Sequence, residues 1–448
     1  MRKIGICLLA VIITLVACNN EDDVASKIAK NNVELLSPAH GIKGIAPMEL
    51  LFEWKHPGGN DLTFGLLYSE NNGESWNTID VGYEPRYQAE EGFFESDKEY
   101  SWKIIVYKGS RKMPYMMSSE RKFTTVHQYK TGDYETYFYN GANKVPIVIL
   151  GDAFVKEDLQ EGGPYQKVAQ RLIDYIFSVE PYKSYKEYFN AYIYYTESKH
   201  RGALRGSRPQ FGKPTRTNPT ETGSDYLKDT YFAASIDPYG LNAFKDSCYN
   251  CAKRIEGVNL NHAMIILMVN EEHFSGMTWP GIGNSAIAMG TLSNDDPERG
   301  AFNMLLHESA HGFAKLADEY EGWEQPEQAI IDQLASEHNA GRCLNVSSTN
   351  DPNKVPWSHL LNIDKYKNSA YLPIGIFEGG YSYRLGMYRS EYSSCMGAKM
   401  YSYFNAISRE MIVKRILSVV GENYSFEKFL EKDVILPSNQ VIVPSIKL

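Results

Sequence analysis

The sequence predicts a multidomain protein in which an all-β sandwich precedes a larger α/β (α+β) domain. Short runs of alternating apolar and polar residues, separated by turns, extend over residues 33–126. After Val126 the pattern changes to continuous apolar runs of strand length that alternate with helical spacing, which indicates a mixed sheet with helices. The predicted domains are therefore 33–126 and 127–448, and a chain of 448 residues is long enough for both.

The first 32 residues have the pattern of an export signal followed by a tether. A basic start and a short apolar run predict that residues 1–17 are a secretion signal. The small residue before Cys18 resembles the lipobox of bacterial lipoproteins, which predicts lipidation of Cys18 and a cell-surface position anchored to the outer membrane. The alternative is an ordinary cleaved signal with an incidental cysteine. The polar residues 18–32 resemble the tethers of Bacteroidetes lipoproteins and are expected to be flexible.

The charge of the chain argues against one class of partner. The formal net charge is −9, and removal of Arg2 and Lys3 with the signal gives −9 − 2 = −11. An acidic chain without a long basic run is not expected to bind nucleic acid. We expect the protein to act as a monomer.

Residues 33–126 contain four clear strand patterns, which are Leu50–Trp54, Thr63–Tyr68, Tyr100–Tyr107 and Lys122–Thr125. The early Trp54 and the later Tyr100-x-Trp102-x-Ile104 resemble a fibronectin type III or immunoglobulin-like sandwich. Two roles remain open for this domain. It is either a substrate- or glycan-binding module or a spacer that holds the second domain away from the membrane.

The second domain begins with elements of a buried sheet. The predicted elements are strands at Val145–Asp152, Phe189–Tyr195 and Ala263–Asn270 and a helix at Tyr165–Phe177. Ala263–Asn270 is apolar throughout and is expected in the centre of the sheet. Ser285–Met289 is expected at an edge, where an extended peptide can add as one more strand. Residues 199–229 are rich in Gly, Pro, Arg and Thr, which predicts a long loop.

The pattern His307-Glu308-Ser309-Ala310-His311 carries the strongest chemical signal. On a helix, residues four apart lie on one face, so both imidazoles can bind one metal ion, and two neutral imidazoles suit zinc. Glu308 is placed to take a proton from water that zinc activates, without being a ligand itself. The helix is predicted to begin with Asp296 as N-cap and Pro297 at its first position. The alternative is a helix with two ordinary core or surface histidines.

A third ligand is expected shortly after this helix. In a straight helix Asp318 would lie about 10 Å beyond His311 along the axis, so the helix must end before it. Gly312 is predicted to end it, because glycine readily adopts the left-handed conformation. The chain then turns back and brings Asp318, or its rival Glu319, to the metal. Metzincin peptidases use a similar device, but with a third histidine and a spacing one residue shorter.

Ser393-Ser394-Cys395-Met396-Gly397 is a plausible tight turn. Metzincins place a methionine in such a turn beneath the metal, which predicts that role for Met396. The alternative is a methionine that simply fills the core. The residues Tyr388, Arg389 and Tyr392 are candidates for stabilising the oxyanion, and the sequence does not choose among them.

Four cysteines remain after Cys7 in the signal and Cys18 are set aside. Disulfides are permitted in an exported protein, so Cys343 and Cys395 are candidates for a bridge that would fix the loop carrying Met396. Cys248 and Cys251 lack the second pair that a zinc ribbon needs. They are expected to form a small local disulfide or to remain two free thiols.

Together these motifs resemble the bacterial IgA metallopeptidase family over about Lys130 to Arg415. The resemblance is carried, in order, by Ile149-Leu150-Gly151-Asp152, Glu180-Pro181-Tyr182, the run from His307 to Tyr320, and Tyr388-Arg389 with Cys395-Met396. It implies a zincin-type catalytic domain, zinc bound by His307, His311 and Asp318, and Glu308 as the catalytic base. It does not imply that IgA is the substrate. The departures at Ala153 and Ser309-Ala310 do not affect a ligand.

The sequence thus predicts an extracytoplasmic zinc endopeptidase that hydrolyses protein or glycoprotein substrates. One alternative is a noncatalytic adhesin or glycan-binding lipoprotein on a peptidase scaffold. Intact His307, Glu308 and His311 argue against it, because a binding protein has no need of a general base. A zinc-dependent amidase acting on cell-wall peptides would use the same chemistry.

Overall fold

A computed structural model describes residues 29–30, 33–47, 50–56, 58–59, 61–90, 92–109, 112–205, 228–237, 240–280, 285–293, 300–367 and 373–435. The chain forms two compact units, which divide between Gln128 and Tyr129. The predicted signal, Cys18 and most of the predicted loop at 199–229 lie outside the described residues. No helix in the described ranges is long and apolar enough to cross a membrane.

The first unit consists of two β-sheets around one aromatic core. Its strands are β1 (Ala29–Lys30), β2 (Glu34–Ser37), β3 (Ile42–Ile45), β4 (Leu51–Lys55), β5 (Leu62–Ser69), β6 (Asn77–Gly82), β7 (Arg86–Gln88), β8 (Glu99–Lys108), β9 (Met113–Met117) and β10 (Arg121–Thr125). One sheet has the order β2-β4-β7; the other has β1-β9-β8-β10-β3, with β5 paired to β8 and β6 to β5. Between the sheets, Phe52 packs edge-on against Trp102 at a centroid distance of 5.0 Å. All four predicted strands are present, with ends within one residue of those predicted.

Two residues of the predicted tether belong to the larger sheet of the first unit. Ala29 and Lys30 pair in parallel with Met116 and Met117 of β9. An edge strand presents unpaired N–H and C=O groups, and a neighbouring segment satisfies them by adding as a strand. The prediction of a flexible tether over 18–32 is therefore wrong for these two residues.

The second unit is built on a six-stranded mixed sheet. The strands of the whole unit are β11 (Tyr134–Phe138), β12 (Val145–Asp152), β13 (Phe189–Tyr194), β14 (Leu204–Arg205), β15 (Ser235–Asp237), β16 (Gly240–Asn242), β17 (Met264–Val269), β18 (Gly276–Pro280), β19 (Ala286–Thr291), β20 (Val346–Ser347), β21 (Phe377–Gly380) and β22 (Tyr383–Arg389). The order is β11-β13-β12-β17-β19-β18, with the four inner strands parallel and the two outer strands antiparallel to their neighbours. Small sheets β14-β15-β16 and β20-β22-β21 flank it.

Helices cover both faces of the large sheet. They are α1 (Pro164–Ile176), α2 (Lys245–Lys253), α3 (Ala301–Ala314), α4 (Gln328–Asn339), α5 (Asp364–Lys367), α6 (Ala406–Val420) and α7 (Phe426–Lys432). Ile147 and Ile149 of β12 point into a core shared with α1, α3 and α6. Val148 and Leu150 point into a core on the other face, shared with α2. Burial on both faces explains why these strands are continuously apolar.

The edge of the sheet differs from the prediction. The segment predicted at the edge, Ser285–Met289, forms β19, which is paired with β17 on one side and β18 on the other. The edge strand is β18, Gly276–Pro280. Its glycine and proline weaken a strand signal in sequence, and proline is tolerated at an edge because no partner needs its N–H.

The metal-motif helix α3 has different ends from those predicted. Asp296 and Pro297 lie outside the described residues, and the helix begins at Ala301 after Gly300, whose φ is 71°. Gly312 does not end the helix, so this prediction is wrong. Lys315 adopts the left-handed conformation instead, with φ 55°. A Cβ on Gly312 would lie 3.1 Å from the Cβ of Ala286, so the glycine permits close packing of α3 on β19.

Candidate metal centre

Three side chains converge at the end of α3. Nε2 of His307 and Nε2 of His311 lie 3.0 Å apart. The chain turns back after Lys315 and brings Asp318 Oδ1 to 3.2 Å from His307 Nε2 and 3.1 Å from His311 Nε2. Among the described residues, this is the only cluster of His, Cys, Asp or Glu whose ligand atoms can hold one ion together. The structure thus brings together the three residues predicted as ligands.

The arrangement fits a zinc ion. Bonds of about 2.0–2.1 Å at tetrahedral angles place ligand atoms about 3.3 Å apart, close to the separations seen here. His307 Nδ1 lies 2.9 Å from the Cys395 carbonyl oxygen, and His311 Nδ1 lies 2.7 Å from that of Leu316. Donation from each Nδ1–H leaves a lone pair on Nε2 that faces the other ligands. Asp318 Oδ1 is also buried without a hydrogen bond. The two Nε2 atoms and Asp318 Oδ1 are all electron-pair donors, so a cation placed between them would bind to all three.

Electrostatics at the centre favour positive charge. Burial acts against a charged His311, but the adjacent Asp318 carboxylate outweighs it and raises the pKa of His311 to about 9. Burial also acts to raise the pKa of Asp318, yet His311 and His307 hold that pKa well below its usual range.

Glu308 lies beside the ligands but is not one of them. Glu308 is 7% exposed, and its carboxylate faces the edge strand β18. The Thr278 hydroxyl of that strand lies 2.7 Å from Glu308 Oε2 and 2.6 Å from the Glu308 carbonyl oxygen. A Cβ on Gly276 would lie 2.9 Å from Glu308 Oε1, so a residue without a side chain leaves room for the carboxylate. Sequence reasoning missed Thr278, because no local pattern relates it to Glu308.

Glu319, the rival ligand, points away from the metal. Its Oε1 accepts hydrogen bonds from Asn345 Nδ2 at 2.8 Å and Asn405 Nδ2 at 2.7 Å, and its Oε2 accepts one from the Ser394 hydroxyl. Its backbone N–H donates to the Met396 carbonyl at 2.7 Å. Burial raises the pKa of this carboxyl. Glu319 thus connects the segment carrying Asp318 to the segment carrying Met396.

The predicted methionine turn lies under His307. Gly397 N–H donates to the Ser394 carbonyl at 3.1 Å, which closes the turn, and Met396 is fully buried. The Cys395 carbonyl of this turn is the group that accepts the His307 Nδ1–H bond. The turn therefore orients the first ligand through its backbone.

Cys248, Cys251, Cys343 and Cys395 are free thiols. The candidate bridge between Cys343 and Cys395 is therefore not formed, and of the two alternatives for Cys248 and Cys251 the structure has the free thiols. Cys395 is fully buried in the core beneath α3, whereas Cys343 is half-buried at the wall of an open cleft. Cys248 and Cys251 both lie on α2, and each side chain packs into the core under that helix. A disulfide needs a specific approach of the two Cβ atoms, and packing directs these side chains elsewhere.

The three oxyanion candidates have other contacts. Arg389 donates to the backbone oxygens of Gly379 at 2.6 Å and Glu378 at 3.0 Å, within its own hairpin. Tyr392 is 72% exposed, and Tyr388 packs in a separate cluster around Trp357. The tyrosine beside the centre is Tyr320, two residues after Asp318. Burial, reinforced by Asp318, raises the pKa of Tyr320, so its hydroxyl keeps its proton.

A cleft of about 390 Å³ opens at the centre. It is lined by His311, Leu316, Ala317, Asp318, Trp323, Ile330, Gln333, Cys343, Tyr381, Ser382 and Tyr383. Two of these residues belong to the ligand set, and the others come from the following loop, from α4, from the segment between α4 and β20, and from the β21–β22 hairpin. A peptide that reaches the metal through this cleft would contact these segments.

Paired histidines, a nearby carboxylate and an open cleft define a metallopeptidase-type site. The family model described as IgA Peptidase M64 matches residues 138–371, more than half of the chain. The protein belongs to this peptidase family, which implies a bound metal and confirms the resemblance seen in the sequence. The matched segment contains His307, His311 and Asp318 and ends before Met396.

Other comparisons add little. No curated protein matched the chain. Among solved structures, chicken CNTN1 FN1–FN3 domains match at 13% identity and a TM-score of 0.18, over 24% of this chain and 38% of that one. A human fibronectin type III domain matches at 21% identity and a TM-score of 0.17, over 22% of this chain and 91% of that one. A Bacteroides uniformis β-glucuronidase matches at 10% identity and a TM-score of 0.14, over 69% of this chain and 38% of that one. This chain thus covers well under half the length of the first of these proteins, and TM-scores so low support no argument about the fold.

Removing the Thr278 hydroxyl is expected to lower kcat about tenfold, because Glu308 loses a donor that fixes its carboxylate. Thr278→Val keeps the shape of the side chain, whereas Thr278→Ser keeps the hydroxyl. We expect the serine variant to retain most of the activity while KM changes little in either variant. Equal kcat values for the valine variant and the unmodified protein, with matching unfolding midpoints, would contradict this role.

A buried carboxyl next to the methionine turn makes stability depend on pH. Glu391 accepts hydrogen bonds from the Tyr403 hydroxyl at 2.6 Å and from Ala406 N–H at 2.9 Å. Burial raises the pKa of Glu391 to about 7, whereas an unfolded glutamate titrates near about 4.3. The folded state therefore holds this proton more tightly, and its stabilising effect is lost as the pH rises through 7.

Glu391→Gln, which cannot ionise, is expected to remove this dependence. Between pH 5 and pH 8 the unfolding free energy of the variant should rise relative to that of the unmodified protein, by on the order of 3 kcal/mol. Denaturant unfolding at both pH values measures the difference, with Glu324→Gln at an exposed position as the control. Parallel pH profiles for Glu391→Gln and the unmodified protein would refute the assignment.

Proposed function

We propose that the protein is a zinc-dependent endopeptidase that cleaves protein or glycoprotein substrates outside the cytoplasm. The observation that carries the proposal is the convergence of His307 Nε2, His311 Nε2 and Asp318 Oδ1 within 3.2 Å of one another. The adjacent Glu308 carboxylate stays outside the ligand set. Such a combination suits hydrolysis, because ligands and proton acceptor are separate groups.

His307, His311 and Asp318 would hold the zinc ion. When bound, zinc acts as a Lewis acid that polarises the peptide carbonyl and makes water more acidic. Glu308 then takes a proton from the attacking water and delivers it to the departing amine. The Thr278 hydroxyl lies 2.7 Å from Oε2, so we assign the proton transfer to the other oxygen of Glu308, Oε1.

The edge strand supports the same function. β18 is the outer strand of the sheet, and its Thr278 contacts the proposed base. An extended peptide can pair with such an edge, which aligns its backbone with the catalytic groups. In this proposal the second unit is a zincin-type domain, and the first is a fibronectin type III-like or immunoglobulin-like module that binds substrate or acts as a spacer.

The location and the assembly of the protein are proposed from its sequence. We propose that Cys18 carries lipid and anchors a monomeric protein at the outer membrane, facing outwards. A Cys18→Ser variant tests this in cells, because it should appear in the soluble fraction while the unmodified protein stays with the membrane. A membrane-bound Cys18→Ser protein would overturn the anchor.

Metal analysis combined with a peptide library tests the enzymatic proposal. The full chain is expected to contain one zinc ion, to cleave a subset of a mixed peptide library, to lose that activity with a chelator and to regain it with added zinc. Cell-wall peptides in the same library separate an endopeptidase from an amidase. If no cleavage depends on the chelator, the proposal fails and a binding protein on a peptidase scaffold becomes the better description.

A further inference from the structure

The hairpin that connects β21 to β22 has a strained tip. Its two loop residues, Tyr381 and Ser382, have φ values of 49° and 66°. Two-residue turns with positive φ at both positions usually contain Asn or Gly, because a Cβ is unfavourable there. A bulky residue such as tyrosine in this conformation is rare. Backbone strain of this kind is retained mostly where the side chain has a function.

The backbone contacts of the tip do not require these side chains. Tyr381 N–H donates to the Asp318 carbonyl at 2.8 Å, and Ser382 N–H donates to that of Tyr320 at 3.1 Å. The Ser382 carbonyl accepts from Gly322 N–H at 3.1 Å and Trp323 N–H at 2.7 Å. Glycine at position 381 would make the same bonds with less strain. The reason for tyrosine must therefore lie in its side chain, which lines the cleft beside the metal ligands.

The cleft around Tyr381 is aromatic and lacks charge. Besides the ligands His311 and Asp318, none of the described residues that line it is Asp, Glu, Lys, Arg or His. Trp323 is 71% exposed although it is large and apolar, and Tyr383 and Ile330 extend the same wall. A charged group placed here would lose water without gaining a partner, whereas an apolar group would gain contact area. A volume of about 390 Å³ is within the range of ligand pockets.

We propose that this aromatic cleft binds an apolar or aromatic side chain of the substrate peptide next to the cleaved bond, and that Tyr381 determines this specificity. The proposal rests on the proposed peptidase function. It assigns the strained tip two roles: its backbone positions the Asp318 segment, and its side chain selects the substrate.

The first test replaces Tyr381 by glycine, which suits the backbone conformation and keeps every backbone hydrogen bond. Peptides that differ only at the residues flanking the cleaved bond are compared, with Phe, Leu, Asp or Lys at each position. The unmodified full chain is expected to prefer Phe and Leu. In Tyr381→Gly this preference should fall about tenfold through KM, with an equal or higher unfolding midpoint. Tyr139→Ala, which removes an exposed aromatic ring that does not line the cleft, is the control and should change nothing.

The second test introduces charge. Gln333 is exposed on α4 and lines the cleft, so Gln333→Lys places a positive charge there without disturbing the core. This variant should gain relative activity on the peptides with Asp. Unchanged selectivity in both Tyr381→Gly and Gln333→Lys would overturn the cleft proposal while leaving the peptidase proposal intact.

Measurements of peptide binding test the cleft proposal independently of the peptidase proposal. Glu308→Gln is expected to bind intact peptides without cleaving them, so their dissociation constants report on the cleft alone. Tighter binding of Phe peptides than of Asp peptides, reduced by Tyr381→Gly in the same background, supports the cleft even if the unmodified chain cleaves none of them. Equal affinity for all four peptides would refute it.

Discussion

Glu308→Gln is expected to lower kcat by about a thousandfold while the protein keeps its zinc. Glutamine has nearly the same shape but cannot accept the proton, and general-base catalysis contributes about 10²–10⁴-fold in enzymes. Zinc should remain because the ligand set of His307, His311 and Asp318 does not include Glu308. The Thr278 hydroxyl at 2.7 Å from Oε2 can still donate to the amide oxygen, so the local structure should persist.

Steady-state cleavage and the zinc content of the same sample measure this effect. Glu324→Gln is a matched control, because its side chain is 73% exposed and lies outside the centre. Loss of activity together with loss of zinc would mean that Glu308 supports the metal and not the proton transfer. Retained cleavage would remove Glu308 from the mechanism altogether.

Asp318→Ala and Glu319→Gln should affect different properties: the first variant should weaken metal binding, and the second should lower stability. Asp318 lies within 3.2 Å of both imidazole nitrogens, so its removal should weaken zinc binding by at least about 100-fold. Glu319 accepts hydrogen bonds from Asn345, Asn405 and Ser394 away from the metal. Its replacement should leave zinc bound and lower the unfolding free energy by about 1–3 kcal/mol.

Zinc titration with a competing chelator and denaturant unfolding of the metal-free proteins distinguish the two residues without any assay of cleavage. Each variant is the control for the other, since the two acidic residues are adjacent in sequence. If Glu319→Gln released zinc and Asp318→Ala kept it, the assignment of the third ligand would be reversed.

Local sequence patterns predicted the inner strands and the convergence of His307, His311 and Asp318 well. Val145–Asp152 is a strand with the predicted ends, because eight consecutive buried positions leave little choice of structure. The pairing of His307 with His311 follows from helix geometry alone. Asp318 could be proposed from distance, since a straight helix cannot bring it to the metal.

Features that depend on packing were predicted poorly. Gly312 was expected to end α3 because of its backbone freedom, but the space beside Ala286 is what requires a glycine there. The helix ends at Lys315, a residue with no strong preference for the left-handed conformation. Thr278 and Tyr381 reach the centre from distant parts of the chain, and a single sequence contains no signal for such contacts. The edge strand β18 was missed for another reason, since its glycine and proline weaken the strand signal in the sequence.

The hydrogen bonds around the metal ligands have a consequence for the order in which the site can form. His307 is oriented by the Cys395 carbonyl, 88 residues further along the chain, and Glu319 is held by Asn405, 86 residues away. A chain that emerges from its N-terminus therefore presents its histidines long before the residues that aim them. The metal-binding site is therefore complete only after the last quarter of the protein has folded back onto α3, and we expect peptidase activity only from that point.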